Sequence, residues 1–549
     1  MTNRASEMND ERSGSPNRRW WALVAICGAT FMLLVDVTIV QVALPSIQRS
    51  LHSSFTNLQW VVSAYALTLS ALVLTSGSLA DRFGRKRIFV AGLAVFTLSS
   101  LLCGVSDSAL FLNLARALQG FGGAAMFATS LALIGQEFQG AERAKAIGAW
   151  GATVGGAVAL GPLVGGALTS GLGWRWIFFV NLPIGVVTFV VSIRQLVNVS
   201  DPEAKRVDVG GLILFSGALF CLNLGLLRGT ADGWTSTLIL SLFGAAVLLL
   251  FGFILVELRQ ARPMFDMSLF RNPGFCGVSI ATFAIGGGMF SLFTYLTLYL
   301  QNDLGASPLG GGLRLLPCTL LCFIVPLATR TLTEKLPAGV VLGTGMAITA
   351  LGIALMSGLT ASSPWTTLLA GLLLTGLGIG IANPSIAKIG LGVVHPARTG
   401  MASGISNTMR ISGLATGIAG LGAIFQSRVA SQVHTLVPSA PSALAGAITS
   451  GGTQAAAATL TGHPTLAVPI TLVVHRSFAS GMNQIFLVGA AIVLFGALAA
   501  FALVRARSFY KFPVGDDVAP SAPAAEDDVP HRLPDGETLA PDVFRSPSS

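Results

Sequence analysis

The run Leu34-Val-Asp36-Val-Thr-Ile-Val-Gln41-Val-Ala-Leu-Pro45 sets one carboxylate well inside an apolar helical stretch that extends from about Trp20 to Ala43. At 1.5 Å per residue such a stretch crosses roughly 30 Å of hydrocarbon. An ionisable group at that depth is costly, so a function is its default explanation. Two readings of Asp36 stand side by side. In one, the carboxyl is held neutral and hydrogen-bonded for packing; in the other, it gains and loses a proton as access to it changes.

Outward from this run, the composition tells the same story. Charged residues make up 10% of the chain, against about 25% in a soluble protein. Apolar runs recur along nearly the whole length, and the short alternating segments of a transmembrane barrel are absent. The expected fold is therefore all-α and integral to a membrane. Fourteen spans are predicted, at 20–43, 57–80, 88–106, 109–133, 146–170, 176–196, 209–227, 238–257, 274–299, 309–329, 338–357, 366–387, 401–425 and 482–504. Charged linkers at 197–208 and 258–273 divide them six, two and six. This predicts an N-terminal six-helix bundle over 20–196, linkers with two inserted helices over 197–273, and a C-terminal six-helix bundle over 274–504. The polar segment 1–19 and the tail 505–549 read as disordered, and 426–481, rich in Ala, Ser, Thr and Gly, as a mobile loop with one short surface helix.

The net charge is +9, yet residues 511–549 hold eight acids and three bases, so the chain before them carries +14. That charge lies beside the spans, which argues for membrane orientation and against nucleic acid. With odd-numbered loops outside, 25 of the Lys and Arg fall in inside loops and tails, five outside and three within spans. Both termini are therefore expected in the cytoplasm, in a multi-pass protein of the cell membrane. All eight Trp fall within about two turns of a predicted interface. The apolar run after Arg18 and Arg19 is too long for a cleavable signal. All six Cys lie in apolar runs, which argues against a disulfide framework or zinc ribbon; Cys318 and Cys322 read as packing residues rather than a metal pair.

Three further stretches carry chemistry. Between spans two and three the chain reads Gly77-Ser-Leu-Ala-Asp81-Arg82-Phe-Gly84-Arg85-Lys86-Arg87. An acid at a helix carboxyl end opposes the helix dipole, so Asp81 needs a cation or another helix's amino end as partner. Such a contact can hold two bundles together in one state and release them in another; a basic loop that only sets topology explains neither Asp81 nor the glycines. Span four contains Leu114-Ala-Arg116-Ala-Leu-Gln119-Gly120, with Arg116 at a depth close to that of Asp36. A moving arginine can switch a carboxyl between its two states, and a fixed structural pair is the alternative. In span five, Ala157, Gly161 and Gly165 clear one helix face for a close crossing, next to Pro162 and Gly166.

The loop of Gly77, Asp81, Arg82, Gly84, Arg85 and Lys86 resembles, position for position, the signature between helices two and three of the major facilitator superfamily. The stretch around Arg116 resembles that superfamily's embedded-arginine motif. Gly161-Pro162-Leu-Val-Gly165-Gly166 resembles the signature of its drug:proton antiporters, and with LVDVTIVQVALP and fourteen spans the match is to the fourteen-helix branch. The resemblance implies alternating access, with the span-five face sealing the path on one side. Ala157 replaces the family's Gly, and Gln41 replaces its common Asn, which alters the pocket near Asp36. In the second half, Leu327-Ala-Thr329-Arg330 echoes Leu79-Ala-Asp81-Arg82 without acid or glycine.

None of the six Lys precedes Ser or Thr, so no Walker-type phosphate loop exists and an ion gradient is the expected driver. A lone embedded acid beside an arginine suits a proton. The expected activity is export of amphipathic drugs or toxic metabolites in exchange for protons, without cofactor or metal, by a monomer in the bilayer. The expected substrate cavity contains Gln41, Gln119, Phe31, Met289, Phe290, Phe293 and Tyr295. Two alternatives stay open: a dedicated exporter of one endogenous compound such as an antibiotic or siderophore, and a membrane sensor or receptor. An enzyme is disfavoured, since the six His lie outside the predicted spans in no metal-spaced cluster.

Overall fold

The computed structural model describes residues 16–138, 140–198, 208–260, 265, 267–329, 335–394, 399–438, 441, 443–459 and 469–505. Residues 1–15 and 506–549, expected to be disordered, and most of the first linker lie outside them. Each of the fourteen predicted spans falls on a helix. These are α1 (Pro16–Leu51), α2 (Phe55–Phe83), α3 (Arg85–Gly104), α4 (Ala109–Glu137), α5 (Gly140–Gly171) and α6 (Asn181–Gln195), the last preceded by the single turn Trp176–Phe179. The inserted pair is α7 (Val209–Asp232) and α8 (Thr237–Arg259). Then come α9 (Pro273–Asp303), α10 (Pro308–Ala328), α11 (Ala338–Leu355), α12 (Leu369–Gly392), α13 (Thr399–Leu436), α14 (Ala443–Thr459) and α15 (Ile470–Leu503). Among the described residues, twelve helices are long and apolar enough to cross a membrane, thirteen with α5 taken as one bent span; α2 adds another 29-residue helix on the second predicted span.

Local chemistry sets the helix starts. Ser54, Ser108, Ser236 and Ser307 each accept a backbone N–H from the third residue onward, and Asp208 does the same for Gly211. Each such cap satisfies an amide left open at a helix start. Gly84 ends α2 and begins α3 with φ +102°, a conformation that suits only glycine comfortably. The two parts of α5, Lys145–Ala157 and Ala159–Gly171, meet at 43°. The Pro162 ring opposes the carbonyl four residues earlier, which places the bend there.

Helices α1 to α6 pack on one another, and so do α9 to α13 with α15. Two pairs form the main joints between these groups, α2 lying on α13 and α5 on α10, and α1 also touches α9 and α10. The inserted α7 and α8 pair with each other, and α7 touches both α2 and α13, so the pair covers that seam. Only 17% of the apolar window of α8 is buried, against 78% of that of α9, as expected of a helix facing lipid beside one in the core. α9 contains two π-helical turns, Ile285–Phe290 and Tyr299–Asp303. A Cβ on Gly288 would lie 2.8 Å from the Gly489 carbonyl, and one on Gly287 3.2 Å from that of Gly413, so these glycines let α15 and α13 close on α9.

The expected outside loop 426–481 is a correction. α13 continues to Leu436, α14 fills 443–459, and α15 begins at Ile470, twelve residues before the predicted start of the span. Small Ala-rich residues carry little hydropathy but are good helix formers, and tertiary contacts decide such segments. One contact is visible: His475 Nδ1 on α15 lies 2.9 Å from Asp303 Oδ1 at the end of α9. His434 and His475 thus sit on helices rather than in a loop.

Candidate functional site

Asp36 is fully buried on α1, and the helices around it each contribute a donor or a wall. Its Oδ2 pairs with Arg116 Nη1 from α4. Its Oδ1 accepts from Gln119 Nε2 at 3.0 Å and from Asn181 Nδ2, the first residue of α6, at 3.3 Å. Arg116 is held in turn: Nη1 donates to Gln119 Oε1 at 2.6 Å, Nε to the Val61 carbonyl at 3.1 Å, and the guanidinium carbon lies 4.1 Å from the Tyr65 ring centre. Ser100 on α3 receives both amides, at 3.4 Å from Gln119 and 3.0 Å from Asn181. Arg116 and Gln119 stand three residues apart on one helix, which brings both to one carboxylate.

Every group on the Asp36 oxygens is an N–H donor. A guanidinium or an amide nitrogen cannot accept a hydrogen bond, so a proton arriving on Asp36 requires Arg116 or an amide to withdraw. Among the described residues Arg116 Nη2 has no partner, a buried donor left open beside the pair. Removing either charge alone would strand the other at a cost of about 3–5 kcal/mol. Asp36, Arg116 and Gln119 are the expected site residues that the fold brings together. Asn181 and Ser100 escaped the sequence reading; the only signal was an amide opening Asn181-Leu-Pro inside a predicted span.

The other expected residues scatter. Gln41 is buried but bonds to none of the Asp36 group among the described residues. Met289 and Phe293 are packed in the core of α9, while Phe31 and Phe290 are half-buried. Tyr295 belongs to a seal between α2, α9 and α13: Gln59 Nε2 donates to its hydroxyl at 2.9 Å and to the Ile418 carbonyl at 3.0 Å, and the tyrosine donates to Ile418 as well. Phe55 and Phe425 pack against its ring, Phe478 meets Phe425 edge-on, and Gln301 Nε2 reaches the Val42 carbonyl at 2.7 Å. All of this lies toward the end of the bundle where α1 finishes. Toward the opposite end, a Cβ on Gly77, Gly148 or Gly151 would meet no atom within 4 Å.

On α5, Gly165 faces α1: a Cβ there would lie 2.8 Å from Ile39, and one on Gly161 would collide with Thr38. One on Gly166 would lie 2.7 Å from the Pro308 carbonyl of α10, and Gly312 of α10 in turn abuts Pro162. The glycine-rich face thus touches both helix groups two and three residues past Asp36. In the loop after α2, Lys86 Nζ donates to the Ile193 carbonyl at 2.7 Å, and Arg82 is exposed with its guanidinium carbon 5.1 Å from the Phe83 ring centre. Arg85 is partnered. The side chain of Asp81 lies outside the described residues, as does Arg330. On α13, Arg410 is half-buried and donates from Nη2 to Asn407 Oδ1 at 2.8 Å.

Two six-helix groups with two added helices, a carboxylate–guanidinium pair buried in one of them and glycine-lined seams between them define a polytopic membrane transporter. The family model of the Major Facilitator Superfamily matches residues 26–418, and the chain belongs to that superfamily. It is 33% identical to the tetracenomycin C resistance and export protein of Streptomyces glaucescens over 91% of this chain and 95% of that one. It is 32% identical to the multidrug resistance protein Stp of Mycobacterium tuberculosis over 96% and 97%. In fold it resembles a crystal structure of a bacterial homologue of the human lysosomal transporter Spinster, inward-facing and unoccupied, with TM-score 0.59 at 17% identity over 91% of this chain and all of that one.

Proposed function

We propose that this chain is a proton-coupled antiporter that exports amphipathic small molecules across the cytoplasmic membrane, both termini inside, as a single copy without cofactor. The observation that carries this reading is the carboxylate of Asp36, deep in α1 and surrounded by donors only. In the geometry described, the outer end is closed by the Gln59–Tyr295–Ile418 seal, and the faces of α2 and α5 toward the cytoplasm stand clear. Opening the outer seal admits a proton to Asp36, Arg116 withdraws, and the exported compound leaves outward. Closure and release of the proton to the cytoplasm restore the ion pair. The cycle converts a difference in access into directed flux, because the proton and the rearranged arginine favour different states.

The names of the relatives, a tetracenomycin C exporter and a multidrug resistance protein, support export of drug-like compounds. The first of them also favours a second reading, a dedicated exporter of one antibiotic; protection of growth against many unrelated compounds or against one separates the two. Purified protein in liposomes with an imposed pH gradient tests the main reading. Substrate flux that follows the gradient and proton flux that follows the substrate are expected; facilitated substrate movement indifferent to the gradient would overturn it.

A further inference from the structure

The first helix group balances its buried charge, whereas the second holds one that it does not balance. Arg410 lies eleven residues into α13, about 16 Å from its cytoplasmic start at 1.5 Å per residue. Among the described residues no carboxylate lies within ion-pair distance of it; Asn407, one turn earlier, takes one N–H of its fork. Its backbone is pressed against α9, where Gly286 abuts the Arg410 carbonyl. The next residue, Ile411, packs against two apolar clusters, one within the first helix group and one that runs through both groups. Arg410 therefore sits at the depth where the two groups meet. Asp36 is not free to compensate it, since both its oxygens are engaged by Arg116, Gln119 and Asn181.

An embedded arginine without an acid is expensive unless something anionic visits it. A guanidinium with one N–H fixed by an amide keeps the rest of its planar fork for a carboxylate, which it matches with two parallel hydrogen bonds. We propose that Arg410, oriented by Asn407, is the anchor for an anionic group, a carboxylate or its equivalent, on the exported compound, so that amphipathic monoanions are preferred substrates. This rests on the antiport reading above and adds to it the charge class of the cargo. It also accounts for the absence of a described acid near the seam on α13: a fixed carboxylate there would occupy the fork and compete with the cargo.

The test uses one fluorescent aromatic skeleton in two forms, a free carboxylate and its primary carboxamide, with pH-driven export by the full chain in liposomes. Wild-type protein is expected to export the carboxylate faster. In Arg410→Gln the ratio of carboxylate to carboxamide flux is expected to fall about tenfold, the loss of roughly one charge-assisted hydrogen bond. Arg410→Lys, which keeps the charge, is expected to hold most of the ratio. Asn407→Ala, which keeps the arginine but frees its fork, is expected to raise KM for the carboxylate with little change in kcat. An unchanged ratio in Arg410→Gln while both probes still move would overturn the anchor and leave the antiport reading standing. Equal loss of both probes in Arg410→Lys and Asn407→Ala, in correctly inserted protein, would also overturn it, by making the arginine structural. Wild-type protein that moves neither probe, nor any other tested compound, would remove the antiport reading and the anchor with it.

Discussion

The two helix groups treat an embedded arginine in opposite ways. In the first, Arg116 is buried against Asp36, Gln119, Val61 and the Tyr65 ring, and its neighbour Gln119 is tied onward to Ser100 and Asn181. In the second, Arg410 has one amide and a half-open setting. A closed charge network on one side and an open cation on the other suits the division of labour proposed above, in which one group would hold the exchanged proton and the other would meet the cargo. The contrast extends to the loops, because Asp81 on α2 has its counterpart in Thr329 after α10, whose hydroxyl bonds back to the Val325 carbonyl.

The largest expected effect comes from removing the buried carboxylate on the closed side. Asp36→Asn should lower pH-driven export by about a hundredfold or more, as loss of a group that acts as a unit with its partners does, while insertion into the membrane is retained. Normal gradient-driven flux by correctly inserted protein would erase the distinction between the two helix groups. Next is charge selectivity. With Asp36 already compensated, a doubly charged cation meets no free acid, and desolvating an unpaired charge costs at least several kcal/mol. Dications should therefore leave about tenfold or more slowly than neutral or singly charged dyes of matched size; equal rates would point to an unrecognised acid on the path.

Gln59→Leu comes third. It removes one hydrogen bond from α2 to Tyr295 on α9 and one to Ile418 on α13, at about 0.5–1.5 kcal/mol each, and so should shift the population toward outward-open by several-fold. Spin-label distances between the outer ends of α2 and α13 would read the shift, and unchanged distances would show that the aromatic stack alone holds the seal. Asp81→Asn is expected to act most gently, by roughly 0.3–1 kcal/mol if a helix end is its partner. Distances between the cytoplasmic ends of the two groups should change modestly with insertion intact; if they do not move, the loop sets topology and nothing more.

Much of this was legible from the sequence because a membrane makes charges conspicuous. Fourteen apolar runs announced fourteen helices, and Asp36 and Arg116 stood out as ions within them. Their mutual contact followed from equal depth. Ser100 and Asn181 were not legible, since small polar residues are common in such helices and nothing in a linear chain reports which faces turn toward each other. Tyr295 shows a different limit: an aromatic ring with a hydroxyl suits a drug pocket and a seal equally, and its bond to Gln59 on another helix is not visible in the linear chain. The segment 426–481 was misread because hydropathy is blind to Ala-rich helices held by contacts such as His475 with Asp303.

The placement of α7 and α8 has a consequence for entry from the side. Of the two seams between the helix groups, the one between α2 and α13 is covered by α7, whereas α5 and α10 meet with Leu160, Leu313, Leu320 and Ile324 exposed on their own surfaces. A compound approaching from the bilayer would therefore meet bare helix faces on one flank and the inserted pair on the other, so the added helices give the bundle a front and a back.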